Sequence, residues 1–279
     1  MRTSSFLTLL AALSIAAPVL PAQRAPARTP ERSSEDWLAR CRDDNRRWGS
    51  DRERFCEVRE QRLAAVKALD IDADQNGGVS VHGWDRNEVL VLSKIQTYAD
   101  EADEAKQLAS RITIEASASG RIRADGPSLG RRQSWAVSFE IWAPRQTDVR
   151  ARTHNGGISV EDVDARLDLE AVNGGIVLRS VSGDVRGETT NGPLDVELDG
   201  DRWRGTGLDL RTTNGPVNLG IPQGYSARLE TGTVNGGMRI DFPITLQGSI
   251  GRRITTQLGS GGAPIRAVTT NGPVTIRRR

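Results

Sequence analysis

Apolar and polar residues alternate along most of this chain in short runs that share one landmark, the dipeptide Asn-Gly. Seven of the ten asparagines precede glycine, at Asn76-Gly77, Asn155-Gly156, Asn173-Gly174, Asn191-Gly192, Asn214-Gly215, Asn235-Gly236 and Asn271-Gly272. From Asn155 onward the spacings are 18, 18, 23, 21 and 36, the last being twice 18. Self-similarity at a period near 20 indicates a repeat architecture. Three residues after Asn stand Val79, Ile158, Ile176, Leu194, Val217, Met238 and Val274, and five after stand Val81, Val160, Leu178, Val196, Leu219, Ile240 and Ile276. The residue between them is polar in every copy except Val177. Period-2 alternation of this kind is a strand with one buried face. Upstream, Val149, Leu167, Val185, Leu208, Leu229 and Ile265 stand six residues before Asn. Each repeat therefore reads as strand, Asn-Gly corner, strand.

Two architectures fit. Asn-Gly between alternating strands is the strongest short hairpin signal, through a type I′ turn. In a β-solenoid, Asn-Gly would instead turn a corner, and equivalent residues would stack along an axis. Pro193, Pro216 and Pro273 follow Asn-Gly directly, where a type I′ hairpin needs an N–H that proline lacks. Proline thus favours the solenoid, while the copies without it fit both. The fold class expected is all-β, a β-solenoid of short rungs with one inserted short helix. The Asn+3 and Asn+5 residues should form two apolar files, and the corner glycines should take φ > 0. Thr153, Thr189, Thr212, Thr233 and Thr269 recur just before the corner, where stacking would build hydroxyl and amide ladders.

Between Asn76 and Asn155 the repeat is interrupted. Val89–Gln96 and Ser134–Trp142 read as longer strands, and Tyr98–Ser110, rich in Ala, Glu and Lys, reads as the one helix, covering an edge or a side of the sheet. Further upstream, the densely charged stretch around Trp37, Cys41, Trp48 and Cys56 reads as a small cap. The domain plan is a signal peptide at 1–22, a leader and disulfide-pinned cap at 23–54, and the β-repeat domain at 55–279.

Composition sharpens this picture. Glycine makes up 29 of 279 residues, about 10% against an average near 7%. Aromatic content is 4% and hydrophobic content 37%, which suits a thin core shared among many turns. Arg2, the apolar stretch Phe6–Ala17 and small residues up to Ala22 form a secretory signal, cut after Ala22 or Ala27. That stretch falls short of the roughly 20 residues that span a bilayer, so no transmembrane segment is expected after cleavage. The chain should be exported to the periplasm, cell surface or medium. Cys41 and Cys56 would then pair as a disulfide; the faint lipobox at Leu38–Cys41 is spoiled by Arg40. The net charge is +2, from 38 basic and 36 acidic residues interspersed, which argues against nucleic acid as a partner.

Chemistry is sparse. His82 and His154 have no spaced Cys, His or carboxylate partner of the kind zinc needs. Asp70-Ile71-Asp72-Ala73-Asp74 opens like a calcium loop, but Gln75 and Val81 stand where Gly and Glu are required. Leu69, Ile71 and Ala73 alternate with those aspartates as a strand does. The chain has no nucleophile elbow, phosphate loop or dinucleotide fingerprint. Gly259–Gly262 reads as a loop between rungs, and Glu161, Asp162, Asp164, Asp168 and Glu170 as a solvated face. No catalytic residue, cofactor or metal ligand is expected.

The stretches Asn76–Trp84, Gly200–Leu210 and Gly224–Glu230, together with the repeated Thr-Thr-Asn-Gly, resemble the bacterial adhesin-like family of β-strand repeat proteins, catalogued as domain of unknown function 4097. The resemblance covers roughly residues 55 to 279. It implies an exported, envelope-associated β-solenoid and supplies no catalytic residues. The function expected is non-enzymatic: adhesion, or binding of an envelope protein or polysaccharide through the solenoid face. The alternatives are a self-associating structural or stress-sensing module, and a polysaccharide lyase on a β-helix.

Overall fold

The computed structural model describes residues 29–47, 51–241 and 252–279. The signal peptide expected at 1–22 lies outside them. Twenty strands among the described residues form two ten-stranded sheets, joined by the Asn-Gly corners. Strands entering a corner lie in one sheet and strands leaving it in the other. Four consecutive rungs show the unit: Asp148–Asn155 with Ile158–Glu161, Asp164–Asn173 with Ile176–Arg179, Ser182–Asn191 with Leu194–Glu197, and Gly207–Asn214 with Val217–Ile221. The fold is a β-solenoid.

Neighbouring rungs pair in parallel and in register. Ile176 lies opposite Ile158 on one side and Leu194 on the other, and Leu194 opposite Val217. In the other sheet Val149, Leu167, Val185 and Leu208 form the matching file. These residues are buried between the sheets, whereas Met238 and Ile240, at the end of the stack, are half-buried. Stacking is what makes the core. One rung presents only a few apolar side chains, and the roughly 1.5–3 kcal/mol gained per buried large side chain accrues only when rungs cover one another.

The corner hydrogen bonds explain the prolines. Gly215 N donates to Asn271 O and Val217 N to Pro273 O, both at 2.9 Å. The inter-rung ladder thus uses the N–H groups of Asn+1 and Asn+3, and the carbonyls of Asn and Asn+2. The N–H of Asn+2 has no role in it, so Pro193, Pro216 and Pro273 remove nothing from it.

The order of the rungs corrects the reading of the last spacing. The interval of 36 residues between Asn235 and Asn271 does not hold two stacked rungs. The final rung, Pro264–Asn271 with Val274–Arg278, inserts between Gly207–Ile221 and the rung Ala227–Asn235/Met238–Ile240. Arg253–Leu258 then closes one sheet antiparallel to Ala227–Asn235, and Gly259–Gly262 carries the chain back inward. The other end mirrors this. The first rung, Ala68–Asp72 with Val79–Trp84, lies inside a later one made of Arg121–Asp125 and Ser134–Pro144. Glu88–Ala99 and Glu53–Ala64 then add antiparallel strands.

There are two helices among the described residues, so the expectation of one is corrected. Helix α1, Pro30–Arg47, occupies the charged cap region. Its buried or half-buried residues, Ser33, Ser34, Trp37, Leu38 and Cys41, recur at helical spacing. Dense charge hid this narrow stripe. Helix α2, Ala102–Ser110, buries Ala105, Leu108 and Ala109. It is pinned by Thr97 Oγ1 donating to Ala105 O, at 2.7 Å, and by Arg59 Nη2 donating to Ala109 O, at 2.9 Å.

Candidate functional site

The seven corners form one column. Asn235 Nδ2 donates to Asn271 Oδ1, Asn271 to Asn214, Asn214 to Asn191, Asn191 to Asn173, Asn173 to Asn155 and Asn155 to Asn76, over 2.8–3.1 Å. All seven side chains are exposed. Six amide hydrogen bonds thus run in one direction along an edge with a repeat of about 4.8 Å, the spacing of paired strands.

The corner glycines serve a different purpose from the one expected. Only Gly272 has positive φ, at 155°; Gly77, Gly156, Gly174, Gly192, Gly215 and Gly236 are absent from the left-handed region. Crowding requires them instead. A Cβ on Gly192 would fall on the carbonyl oxygen of Gly174, and one on Gly215 on that of Gly192. The hydroxyls also differ from the expected ladder. Thr153, Thr189, Thr212, Thr233 and Thr269 are buried and do not bond to one another. Each donates to the corner glycine carbonyl of the adjoining rung, at 2.5–2.9 Å. Ala171 fills this position in the Asn173 rung.

Cys41 and Cys56 are disulfide-bonded, with Cα atoms 6.6 Å apart, tying α1 to the outermost strand, Glu53–Ala64. Toward the start of α1 lies a buried polar quartet drawn from four elements: Ser33, His82, Lys94 and Glu140. Glu140, 2% exposed, accepts from Ser33 Oγ and Lys94 Nζ, and from His82 Nε2 at 3.2 Å. Lys94 Nζ also donates to Ser33 Oγ at 3.0 Å, and His82 stacks on Trp142 at 4.9 Å between centroids. Burial works to raise the Glu140 carboxyl. The hydrogen bonds from His82, Lys94 and Ser33 outweigh it and hold the group at about 2. A serine beside a lysine can be a nucleophile and its base. Here Lys94 Nζ and the Ser33 hydroxyl both donate to the same carboxylate, that of Glu140. The arrangement anchors a helix.

Two open clefts adjoin these features. One, of about 440 Å³, lies by the start of α1 among His82, Trp84, Trp142, Arg145 and Glu161. The other, of about 660 Å³, carries Arg211, Arg252, Arg253 and Arg266 near the far end of the column. Arg266 is bonded to Glu230 and Asp209, and Arg211 to Asp209.

Asp70 and Asp72 both pair with Arg152, and His154 is exposed beside its corner. No cluster of three or more His, Cys, Asp or Glu suited to a metal occurs among the described residues. None of their helices is long and apolar enough to cross a membrane. Sequence reasoning found the corners and the cysteines but missed the quartet. Its members are 49 to 107 positions from Ser33, and each alone resembles a polar residue on a strand's outer face.

No curated protein matches this chain. Among solved structures it is similar to a candidate cell adhesion protein of Clostridium sporogenes, at 10% identity and a TM-score of 0.40, covering 80% of this chain and all of that one. It is also similar to a candidate adhesin of Bacteroides fragilis, at 11% identity and 0.31, covering 80% and 97%. A third is a candidate lipid binding protein of Parabacteroides distasonis, at 9% identity and 0.27, covering 80% and 96%. The family described as Toastrack DUF4097 matches residues 64–277, from the first edge strand to the last rung. A match over most of the chain shows kinship, and the protein belongs to that Toastrack family.

Proposed function

We propose that this protein is a non-catalytic binding protein of the cell envelope, exported through the signal peptide at 1–22, and that it holds a polysaccharide or an envelope protein on the outside of its solenoid. One observation carries this reading: the exposed column of seven asparagines, hydrogen-bonded from rung to rung without a break. A rigid file of amides at a fixed repeat suits a ligand that is itself repetitive and rich in hydroxyls. Two further features support it. The disulfide suits an oxidising compartment, and the buried quartet is committed to anchoring α1. Purified mature protein on a glycan array, with a parallel assay for unsaturated products from uronate polymers, tests both halves of the proposal. Retention of a glycan without cleavage is expected; product release would favour the lyase alternative. Self-association is the second reading, favoured by Met238–Ile240, a three-residue edge strand with no further strand beside it among the described residues.

A further inference from the structure

The amide column has a polarity, and its two ends differ. Every Asn Nδ2 donates toward Asn76, so the Asn76 side-chain oxygen is used as an acceptor, by Asn155 at 3.1 Å. Its own NH₂ donates to no partner among the described residues. A chain of hydrogen bonds polarises its members, which makes this terminal NH₂ the strongest exposed donor of the column. Asn76 also lines an open cavity of about 410 Å³, together with Asp74, Gln75, Pro127, Ser128, Leu129 and Trp135.

The indole is held in place there. Val137 N donates to Asn76 O at 3.2 Å, which sets Trp135 two residues along the neighbouring strand. Trp135 Nε1 donates to Pro127 O at 3.4 Å. Gly126 backs the ring so closely that a Cβ there would meet Trp135 Cε2 at 2.5 Å. The indole is nonetheless only partly buried, and Leu129 beside it is 50% exposed. The cavity thus joins a fixed aromatic ring to side chains that accept (Asp74), donate and accept (Gln75) and donate (Asn76). A few convergent polar groups opposite an aromatic surface is the usual composition of a small-ligand pocket. A pyranose matches both halves, since its axial C–H face covers an aromatic ring and its equatorial hydroxyls need donors and acceptors together. Asp74, the one charged residue lining the cavity, disfavours an anionic sugar.

We propose that this pocket is a binding site for a neutral pyranose unit, with Trp135 as the stacking platform and Asn76 as the principal donor, at the head of the column along which a longer glycan would lie. The proposal rests on the polysaccharide reading above. Its test is calorimetric titration of the full mature chain with cellotetraose, mannotetraose and galactotetraose, and with tetragalacturonate and tetramethylammonium as charged controls. At least one neutral tetrasaccharide should bind and tetragalacturonate should not. Trp135→Ala should weaken binding more than tenfold and Trp135→Phe only a few-fold. Asn76→Ala should weaken it about fivefold to tenfold. Asn87→Ala, which removes an exposed asparagine outside both the column and the cavity, should leave affinity unchanged and so controls for loss of an amide as such. Binding by the wild type that is indifferent to both Trp135→Ala and Asn76→Ala overturns this site and leaves the broader reading standing. Failure of the wild type to bind any of the three sugars also overturns this site, and the glycan array then decides the broader reading separately. Trp135-dependent binding of tetramethylammonium alone would reassign the pocket to a cation and also overturn the proposal.

Discussion

Gly192→Ala tests the claim that corner glycines are required by the approach of stacked rungs and not by their own backbone conformation. The added methyl would meet the Gly174 carbonyl, so either the corners separate or the strands shift. Forcing a methyl into a packed contact costs typically 1–3 kcal/mol. Separation would also weaken three hydrogen bonds that hold this corner to its neighbours: Gly192 N to Asn214 O at 3.0 Å, Asn191 to Asn173 at 2.9 Å and Asn214 to Asn191 at 2.8 Å. Each contributes about 1 kcal/mol net, and less where exposed, so the loss should total about 3–5 kcal/mol. For a domain of this size that is roughly a 10 °C fall in Tm. The control is Gly237→Ala, where a Cβ meets nothing within 4 Å and φ is not positive; it should change stability by less than about 0.5 kcal/mol. Urea denaturation followed by circular dichroism measures both variants. An unchanged midpoint for Gly192→Ala, or an equal loss for Gly237→Ala, would refute the crowding argument.

Four further outcomes follow from the same structure. Adding a hydroxyl at a corner that lacks the threonine, by Ala171→Thr, should supply a donor to the Gly156 carbonyl and stabilise by up to about 1 kcal/mol; a lower urea midpoint would count against it. Glu140 titrates at about 2 in the folded protein against 4.5 ordinarily, so its contribution is present above pH 4.5 and lost as pH falls from there toward 2. Wild type should therefore destabilise more than Glu140→Gln over that window, and parallel acid profiles would contradict the buried quartet. The Cys41–Cys56 bridge closes a separation of 15 residues, so Cys41→Ser with Cys56→Ser should cost about 3 kcal/mol in the chain-entropy treatment. Amide exchange should rise first in α1, and a uniform rise would argue against local tethering. Leu194, fully buried between Ile176 and Val217, should cost 2–5 kcal/mol as Leu194→Ala, with exchange rising in the rungs on both sides; a loss confined to one side would contradict shared stacking.

What could be read from the sequence is what a one-dimensional stack must repeat. Ile158, Ile176, Leu194 and Val217 occupy equivalent places in successive rungs, so the environment that selects one selects all, and alignment on Asn exposes them. Proline at Asn+2 could be read for the same reason. The insertion of Pro264–Arg278 beneath Ala227–Ile240 could not. Every rung presents nearly the same edge to its neighbour, and the local pattern does not encode which neighbour it takes. The quartet was hidden in a different way. Ser33, His82, Lys94 and Glu140 meet only through α1 and three adjacent strands, and nothing periodic links a helix position to a strand position far along the chain. The pocket at Trp135 was equally silent, because it lies where the 126–133 loop folds back on the first corner.

The two out-of-order rungs have a common physical logic. A solenoid is weakest at its ends, where the last rung has one neighbour fewer and its edge exposes unpaired N–H and C=O groups. In this protein the first and last rungs of the domain are both set one place in from the end of the stack. Ala68–Trp84 is covered by Arg121–Pro144, and Pro264–Arg278 by Ala227–Ile240. Antiparallel strands are laid over three of the four strands of those outermost rungs. Helix α1, fixed by the disulfide and by the hydrogen bonds of Ser33 to the buried Lys94–Glu140 pair, then holds down Glu53–Ala64, the outermost strand at its end. Fraying therefore has to open a paired, internally connected segment before it reaches the rungs that carry the asparagine column. That keeps the column continuous along its full length, which is the property a surface for a repetitive ligand requires.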